Sequence, residues 1–245
     1  MPTPNVTRNL RLWNSCLGLL VIASSLCLTG SLSAGLVLDA FTQTNFSWPQ
    51  STTSSATFND APITGALGNS RVLVLTSTPP GESISAAVFT GPFPGFEFSA
   101  GVGGTGTLTM HYGGVGGAGL NVNLAAMGLD TIKLANLKTD QPGLQIALTI
   151  SDGTTSQTQT FVDNTPGFVL HDLLLPLSGF STSLLSNVKS ITFIFTGPPG
   201  IDFKVGQLFI MPEPAAWLVW GLVTGAAVGA YRWKRARTRK SASLA

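Results

Sequence analysis

Thr105-Gly106-Thr107-Leu108-Thr109-Met110-His111-Tyr112 alternates without a slip. In an extended chain Leu108 and Met110 fall on one face, and Thr107, Thr109 and His111 on the other. That period predicts a strand with one face in a core and one in water. The chain on both sides reads in the same way. Upstream, Gly35–Phe41, Arg71–Thr76 and Ser83–Thr90 are predicted strands. Downstream come Leu129–Leu137, Leu144–Ser151, Thr154–Val162, Phe168–Leu175, Val188–Thr196 and Ile201–Met211. Asp152-Gly153 is a hairpin turn between two of them. Thr42–Thr57, rich in Ser, Thr, Gln and Asn, reads as a surface loop carrying Trp48, and Gly91–Gly104 and Gly113–Gly119 read as glycine-rich loops. About ten short strands parted by turn residues, with no long helical period, predict an all-β antiparallel sandwich or barrel.

Charged residues make up only 10% of the chain, against about a quarter in ordinary soluble proteins. They are also unevenly placed. Arg8 and Arg11 lie near the N-terminus, and Arg232, Lys234, Arg235, Arg237, Arg239 and Lys240 near the C-terminus. The middle keeps Arg71, Lys133, Lys138, Lys189 and Lys204 against ten carboxylates, so it is net acidic although the whole chain is formally +2. Nucleic acid needs a clustered positive field on the domain, and no nucleic-acid partner is expected. Both cysteines, Cys16 and Cys27, precede the first strand. The middle domain can therefore form neither a disulfide nor a thiolate metal site.

The two ends have their own character. Residues 1–34 have the form of a signal-peptide helix: basic Arg8 and Arg11, the apolar run Leu17–Leu28, then Ser31-Leu32-Ser33 as a small-residue cleavage region. At the other end Pro212-Glu213-Pro214 precedes the apolar run Ala215–Ala230. As a helix that run covers roughly 24 Å, slightly under a ~30 Å hydrocarbon core. A transmembrane helix is predicted over 215–231, with the basic tail 232–240 held on the cytoplasmic side and the domain outside.

Pro212-Glu213-Pro214, one short apolar helix and a terminal basic cluster together resemble the PEP-CTERM sorting signal of exported Gram-negative bacterial proteins. The resemblance covers roughly the last thirty residues. It implies an exosortase-type processing enzyme as partner, with the inner membrane holding the precursor. It also implies cleavage near the sorting motif and a destination at the cell surface or in the polysaccharide matrix. The alternative is a permanently anchored single-pass protein. A second resemblance covers 36–211, to an exported bacterial β-sandwich type. It rests on Gly68-Asn69-Ser70-Arg71-Val72-Leu73, Tyr112-Gly113-Gly114, Gly128-Leu129-Asp130, Phe193-Ile194-Phe195 and Asp202-Phe203. It implies a jelly-roll-like sandwich and no established activity. The expected layout is therefore a signal peptide (1–34), an extracytoplasmic β-sandwich domain (35–211) and a sorting signal (212–240).

Candidate chemistry is thin. Gly101-Val102-Gly103-Gly104-Thr105-Gly106 has the dinucleotide-loop spacing, but a strand pattern follows it where a helix is required. No cofactor is expected. A cysteine-free zinc site needs two or three histidines plus a carboxylate; the chain has only His111 and His171, and the adjacent His171 and Asp172 point to opposite faces of a strand, so no metal is expected there. Loop oxygens of Asp60, Asp152, Asp163, Asp172 and Asp202 suit calcium in type but not in any repeat. Glu82 and Glu97, the domain's only glutamates, would have to lie about 5–9 Å apart for glycoside hydrolysis. Trp48, with Phe46 and Gln50 beside it, and Tyr112 beside the glycine loop are the candidate sugar-stacking rings. No catalytic residue is assigned. The expected role is non-enzymatic, structural or adhesive, with polysaccharide contacts. A secreted polysaccharide-acting hydrolase is the alternative.

Overall fold

The computed structural model describes residues 35–44, 50–90, 94–114, 118–212, 224–226 and 228. The signal peptide, Glu213, Pro214 and the basic cluster lie outside these residues, as does all of the apolar tail run except 224–226 and 228, which are helical. Among the described residues no helix is long and apolar enough to cross a membrane.

The alternating stretch is a strand along its whole length, with every second residue buried from Gly106 to Tyr112. It is β7 of the fourteen strands among the described residues. The first six are β1 (Leu36–Asp39), β2 (Gln50–Thr52), β3 (Ser55–Asp60), β4 (Arg71–Thr78), β5 (Ile84–Phe89) and β6 (Gly95–Ala100). After β7 (Thr105–Tyr112) come β8 (Thr131–Thr139), β9 (Leu144–Ser151), β10 (Ser156–Asp163), β11 (His171–Pro176), β12 (Ser190–Thr196), β13 (Asp202–Val205) and β14 (Gln207–Met211). All pairings are antiparallel. One sheet runs β10-β9-β12-β7-β4-β3; the other runs β1-β14-β8-β13-β6-β5-β2, with β11 also paired to β8. The two pack as a jelly-roll-like sandwich over one apolar core.

Three segments depart from the sequence expectation. The loop predicted over Thr42–Thr57 contains β2 and the start of β3. Their Ser/Thr-rich sequence hides them because each lies at a sheet edge. The Gly/Pro-rich stretch Gly91–Gly104 contains β6, whose Phe96 and Phe98 are core residues. The single strand predicted over Ile201–Met211 is two, broken at Gly206, whose N–H donates to the Ala135 carbonyl at 2.8 Å. Opposite the break, Asn136 adopts a left-handed φ of 55°. A one-turn helix, α1 (Thr182–Leu185), went unpredicted because four residues are too short to show a period.

An aromatic chain joins the sheets through the core. Phe195 of β12 stacks on Phe203 of β13 at 5.1 Å, and Phe203 stacks on Phe98 of β6 at 5.3 Å. At one end sits an ion network that water does not reach. Arg71 of β4 donates to Asp39 of β1 (2.8 and 3.1 Å) and to Asp60 of β3 (2.7 Å). Its guanidinium also lies 5.3 Å from the Phe41 ring centroid. The Tyr112 hydroxyl and the Phe41 N–H both donate to Asp39. Burial pushes the Asp39 carboxyl up, and Arg71 with the other donors pulls it back. Asp39 belongs to one sheet and the other three side chains to the second, so the network ties the sheets together.

Leu36 pairs with Ile210, so the chain enters and leaves the sandwich at the same end. The opposite end is built from the loops at 79–83, 101–104, 140–143, 164–170 and 197–200, several of them bonded to each other. Gly101 N donates to Ser83 O, Gly200 N to Gly104 O and Gly143 N to Asp163 O.

Candidate functional site

The outward faces of the two sheets carry different chemistry. On the six-stranded sheet, register lines up Asn59, Val72, His111, Thr192, Thr149 and Thr158 in one cross-strand row. The next row is Thr57, Val74, Thr109, Ile194, Ala147 and Thr160. Hydroxyls are bonded along the row: His111 Nδ1 lies 2.8 Å from Thr192 Oγ1, and Thr149 Oγ1 is 2.7 Å from Thr158 Oγ1. Neither row contains a Lys, Arg, Asp or Glu.

The eight-stranded sheet holds three of the domain's four lysines, Lys133, Lys138 and Lys204. Pairing of β13 with β8 sets Lys204 directly opposite Lys138, and pairing with β6 sets it directly opposite Glu97 on its other side. Phe89, at the end of β5, receives the Lys204 ammonium at 4.6 Å from its ring centroid. Phe168, from the loop before β11, receives that of Lys138 at 5.6 Å. Both rings are exposed, Phe89 by 40% and Phe168 by 71%. Among the described residues no carboxylate forms an ion pair with Lys138 or Lys204. The third lysine of this face differs: Lys133 lies 5.7 Å from the Phe209 centroid and is bonded to Asp172 at 3.0 Å. The N–H of Asn136, and then Lys133, hold the Asp172 carboxyl below its ordinary range.

Local structure explains how these side chains meet. The β8 residues alternate outward at Asn136 and Lys138 after the irregularity at Asn136. Phe168 has a left-handed φ of 66°, and its N–H is fixed on Thr139 O at 2.6 Å, beside Lys138 in β8. The resulting stripe, Phe89–Lys204–Lys138–Phe168, crosses β5, β6, β13 and β8, a width of roughly 14 Å at ~4.8 Å per strand. Cross-strand lysines directly opposite each other repel, an effect that Glu97 opposite Lys204 offsets in part, and cation–π contacts at the surface return only about 0.5–1 kcal/mol each. An arriving anion would relieve that repulsion, and the flanking ring faces offer apolar ground beside it.

The residues singled out from sequence are placed as follows. Trp48 and Phe46 lie outside the described residues. Tyr112 corrects the expectation of a stacking ring: it is 0% exposed, with its hydroxyl spent on Asp39. A side chain on the inward parity of β7 presents no ring face to a sugar. Pro212 closes β14, and the rest of the sorting motif lies outside the described residues. Glu82 precedes β5, whereas Glu97 sits opposite Ala87 in mid-sheet. Five residues of strand separate the two positions, on the order of 15 Å, and no carboxylate pair forms. The aspartates have separate partners, except that Asp60 shares Arg71 with Asp39. Asp60 is on Arg71, Asp163 lies 3.2 Å from His171, Asp172 is on Lys133, and Asp152 caps its own turn through the N–H groups of Thr154 and Thr155. A shallow cleft of about 410 Å³ between Pro142, Gly143, Gln145, Thr196, Gly197 and Pro198 has no titratable side chain in its lining. Lys138, Lys204, Phe89 and Phe168 were not distinguished by sequence, because only strand register brings positions from β5, β8 and β13 together.

No family model matches the sequence, and no curated protein does. Solved structures do. A family 11 carbohydrate-binding module from Clostridium thermocellum, in complex with a β-1,3-1,4-mixed-linked tetrasaccharide, is 16% identical with a TM-score of 0.38, over 64% of this chain and 96% of that one. A family 30 carbohydrate-binding module of a Clostridium thermocellum cellulosomal cellulase is 12% identical with a TM-score of 0.39, over 67% and 94%. A glycoside hydrolase domain, Endo-D from Streptococcus pneumoniae, is 16% identical with a TM-score of 0.33, over 56% and 21%. The likeness in each case is of sandwich architecture alone.

Proposed function

We propose that the chain is an exported, PEP-CTERM-sorted protein of the cell envelope or extracellular matrix, structural or adhesive and not an enzyme. In this reading its sandwich contacts acidic polysaccharide through the Phe89–Lys204–Lys138–Phe168 stripe. The observation that carries the polysaccharide contact is the Lys138–Lys204 pair, unbridged by any described carboxylate and bordered by two exposed rings. A uronate-type carboxylate would bridge the ammonium groups, and the apolar face of a sugar ring would lie on Phe89 or Phe168. One of the sandwiches above was solved with an oligosaccharide, but the reading rests on this chain's own stripe. Export and sorting rest on the leader, Pro212-Glu213-Pro214, the apolar run and the basic tail. In this arrangement the exosortase-type enzyme and the inner membrane meet the precursor. The shared exit end of residues 35 and 211 would leave the far-end loops facing outward.

Binding is tested by titrating the purified protein with uronate-bearing and neutral polysaccharides. The expected result is retention of the acidic polymer only, lost in Lys138→Ala/Lys204→Ala. Equal binding by that variant, or preference for the neutral polymer, would overturn the reading. Sorting is tested by mass spectrometry of the exported form. A product ending near Pro212 to Pro214 is expected, and a mature chain still ending at Ala245 would sink processing.

A further inference from the structure

Sheet edges are where an unpaired backbone meets solvent, and proteins blunt them with short strands, bulges, prolines or lysines. The edges of the eight-stranded sheet follow that pattern. Strand β1 has four residues and an irregularity between Val37 and Asp39. Strand β2 has three residues. Strand β11 has an irregularity between His171 and Leu173 and ends in Pro176. In the six-stranded sheet β3 has six residues and ends on the buried Asp60.

Strand β10 shares with β3 only its buried terminal aspartate, Asp163, and is neither short, irregular nor closed by a proline. It is eight residues long and pairs with β9 in unbroken register from Ser156 to Asp163. Its residues Ser156-Gln157-Thr158-Gln159-Thr160-Phe161-Val162 include no charge and no proline. Among the described residues it has no strand on its other side. Its inward side chains are held: Gln157 Oε1 accepts the Ser181 N–H at 2.8 Å, and Gln159 lies against Gly179. Among the described residues the strand therefore has one backbone edge open.

We infer that this edge pairs with the β10 edge of a second copy, antiparallel and about a two-fold axis, joining two six-stranded sheets into one. A free antiparallel edge is self-complementary in its backbone donors and acceptors, which is what an isologous contact requires. Face parity selects the register. Side chains must keep to the same side across the join, so the two residue numbers of each opposed pair must share parity. Centring on Gln159 achieves this. It sets Gln159 opposite its twin, Thr158 of one copy opposite Thr160 of the other, and Ser156 opposite Val162. All seven uncharged residues 156–162 are then paired, and the half-exposed Val162 (49%) is brought into contact. The threonine-lined outer face runs on without a break, and no like charges meet across the join. The inference is independent of the polysaccharide reading, because β10 is in the opposite sheet from the lysine stripe.

The test is sedimentation of the full chain in detergent micelles, comparing wild type with Thr158→Lys/Thr160→Lys. These exposed positions oppose each other in the pairing, so the substitutions set lysine against lysine twice. Wild type is expected to sediment as a dimer, and the variant as a monomer with at least about 100-fold weaker association, still melting cooperatively but without the mass-action stabilisation that dimerisation gives. The matched variant Thr57→Lys/Asn59→Lys, on the β3 edge, should remain dimeric. A second measurement holds if the lysine variant fails to fold: Gln159→Cys in a Cys16→Ser/Cys27→Ser background should cross-link to a dimer under mild oxidation, since opposed Cβ atoms lie about 4.5–5.5 Å apart. A wild type that stays monomeric at ~100 μM, a folded lysine variant that still dimerises, or a Gln159→Cys chain that does not cross-link would each overturn the inference. Assemblies growing beyond the dimer would also overturn it, since head-to-tail contacts and not a two-fold axis make open fibres.

Discussion

The two sheets present opposite surfaces to solvent while sharing one core. The six-stranded sheet shows hydroxyls and β-branched carbons, and the only titratable group in its central rows is the half-buried His111. The eight-stranded sheet shows Lys133, Lys138 and Lys204, each over a phenylalanine ring. Alternation obliges the inward positions of both sheets to be apolar. It leaves the outward positions free to differ. A threonine-covered face suits continuation into another sheet. A face with opposed, unbridged lysines suits an anionic ligand.

The largest effect is expected where the sheets are joined. Arg71→Met removes the cation that, among the described residues, bridges Asp39 and Asp60 in the buried network. Breaking one partner of a buried pair costs about 3–5 kcal/mol, and denaturant unfolding should show a loss of that size. A loss under about 1 kcal/mol would mean that the sheets hold together through the aromatic chain alone.

Next comes the surface contrast. Lys138→Glu/Lys204→Glu should weaken acidic-polysaccharide binding by about 100-fold, as two like-charge contacts replace two attractive ones. Thr109→Glu/Thr192→Glu, on the other face, should leave binding unchanged. Equal losses from both pairs would mean that net charge matters and the stripe does not. Phe168→Ala should then weaken binding by roughly ten-fold through lost ring contact, with stability changed by no more than about 0.5 kcal/mol at so exposed a position.

The smallest effect lies in titration, where the faces again differ. Burial lowers the His111 pKa below its ordinary value. The folded state thus prefers neutral imidazole, and stability present above pH ~6.5 declines as pH falls through that range. Asp172 is held below the carboxylate range. Its contribution is present above pH ~4 and is lost as pH falls through the folded-state value. Melting temperature against pH should show both declines, the upper abolished by His111→Gln and the lower reduced by Asp172→Asn. The Asp172 step amounts to a few tenths of a kcal/mol, because its ion pair is solvent-screened.

Legibility in the sequence followed local pattern. Thr105–Tyr112, Arg71–Thr76 and Leu144–Ser151 announced themselves because one face is buried and one is wet. Strands β2 and β3 did not, since the Ser/Thr-rich edge that carries them reads like a loop. Strand β6 was masked by flanking glycine and proline even though its phenylalanines fill the core. Tyr112 misled in the other direction: its place beside a glycine loop suggested exposure, while its parity in β7 buries it.

What the sequence determined by itself is therefore the class of fold, through a two-residue period repeated along the chain, and the uneven charge that sets the ends apart from an acidic middle. What only the tertiary structure decided is adjacency. Lys138 and Lys204 are 66 positions apart, and Asp39 and Arg71 are 32. Each pair meets because antiparallel register and sheet stacking bring distant strands within ~5–10 Å. Periodicity along one strand says which way a side chain faces, but not which strand lies beside it.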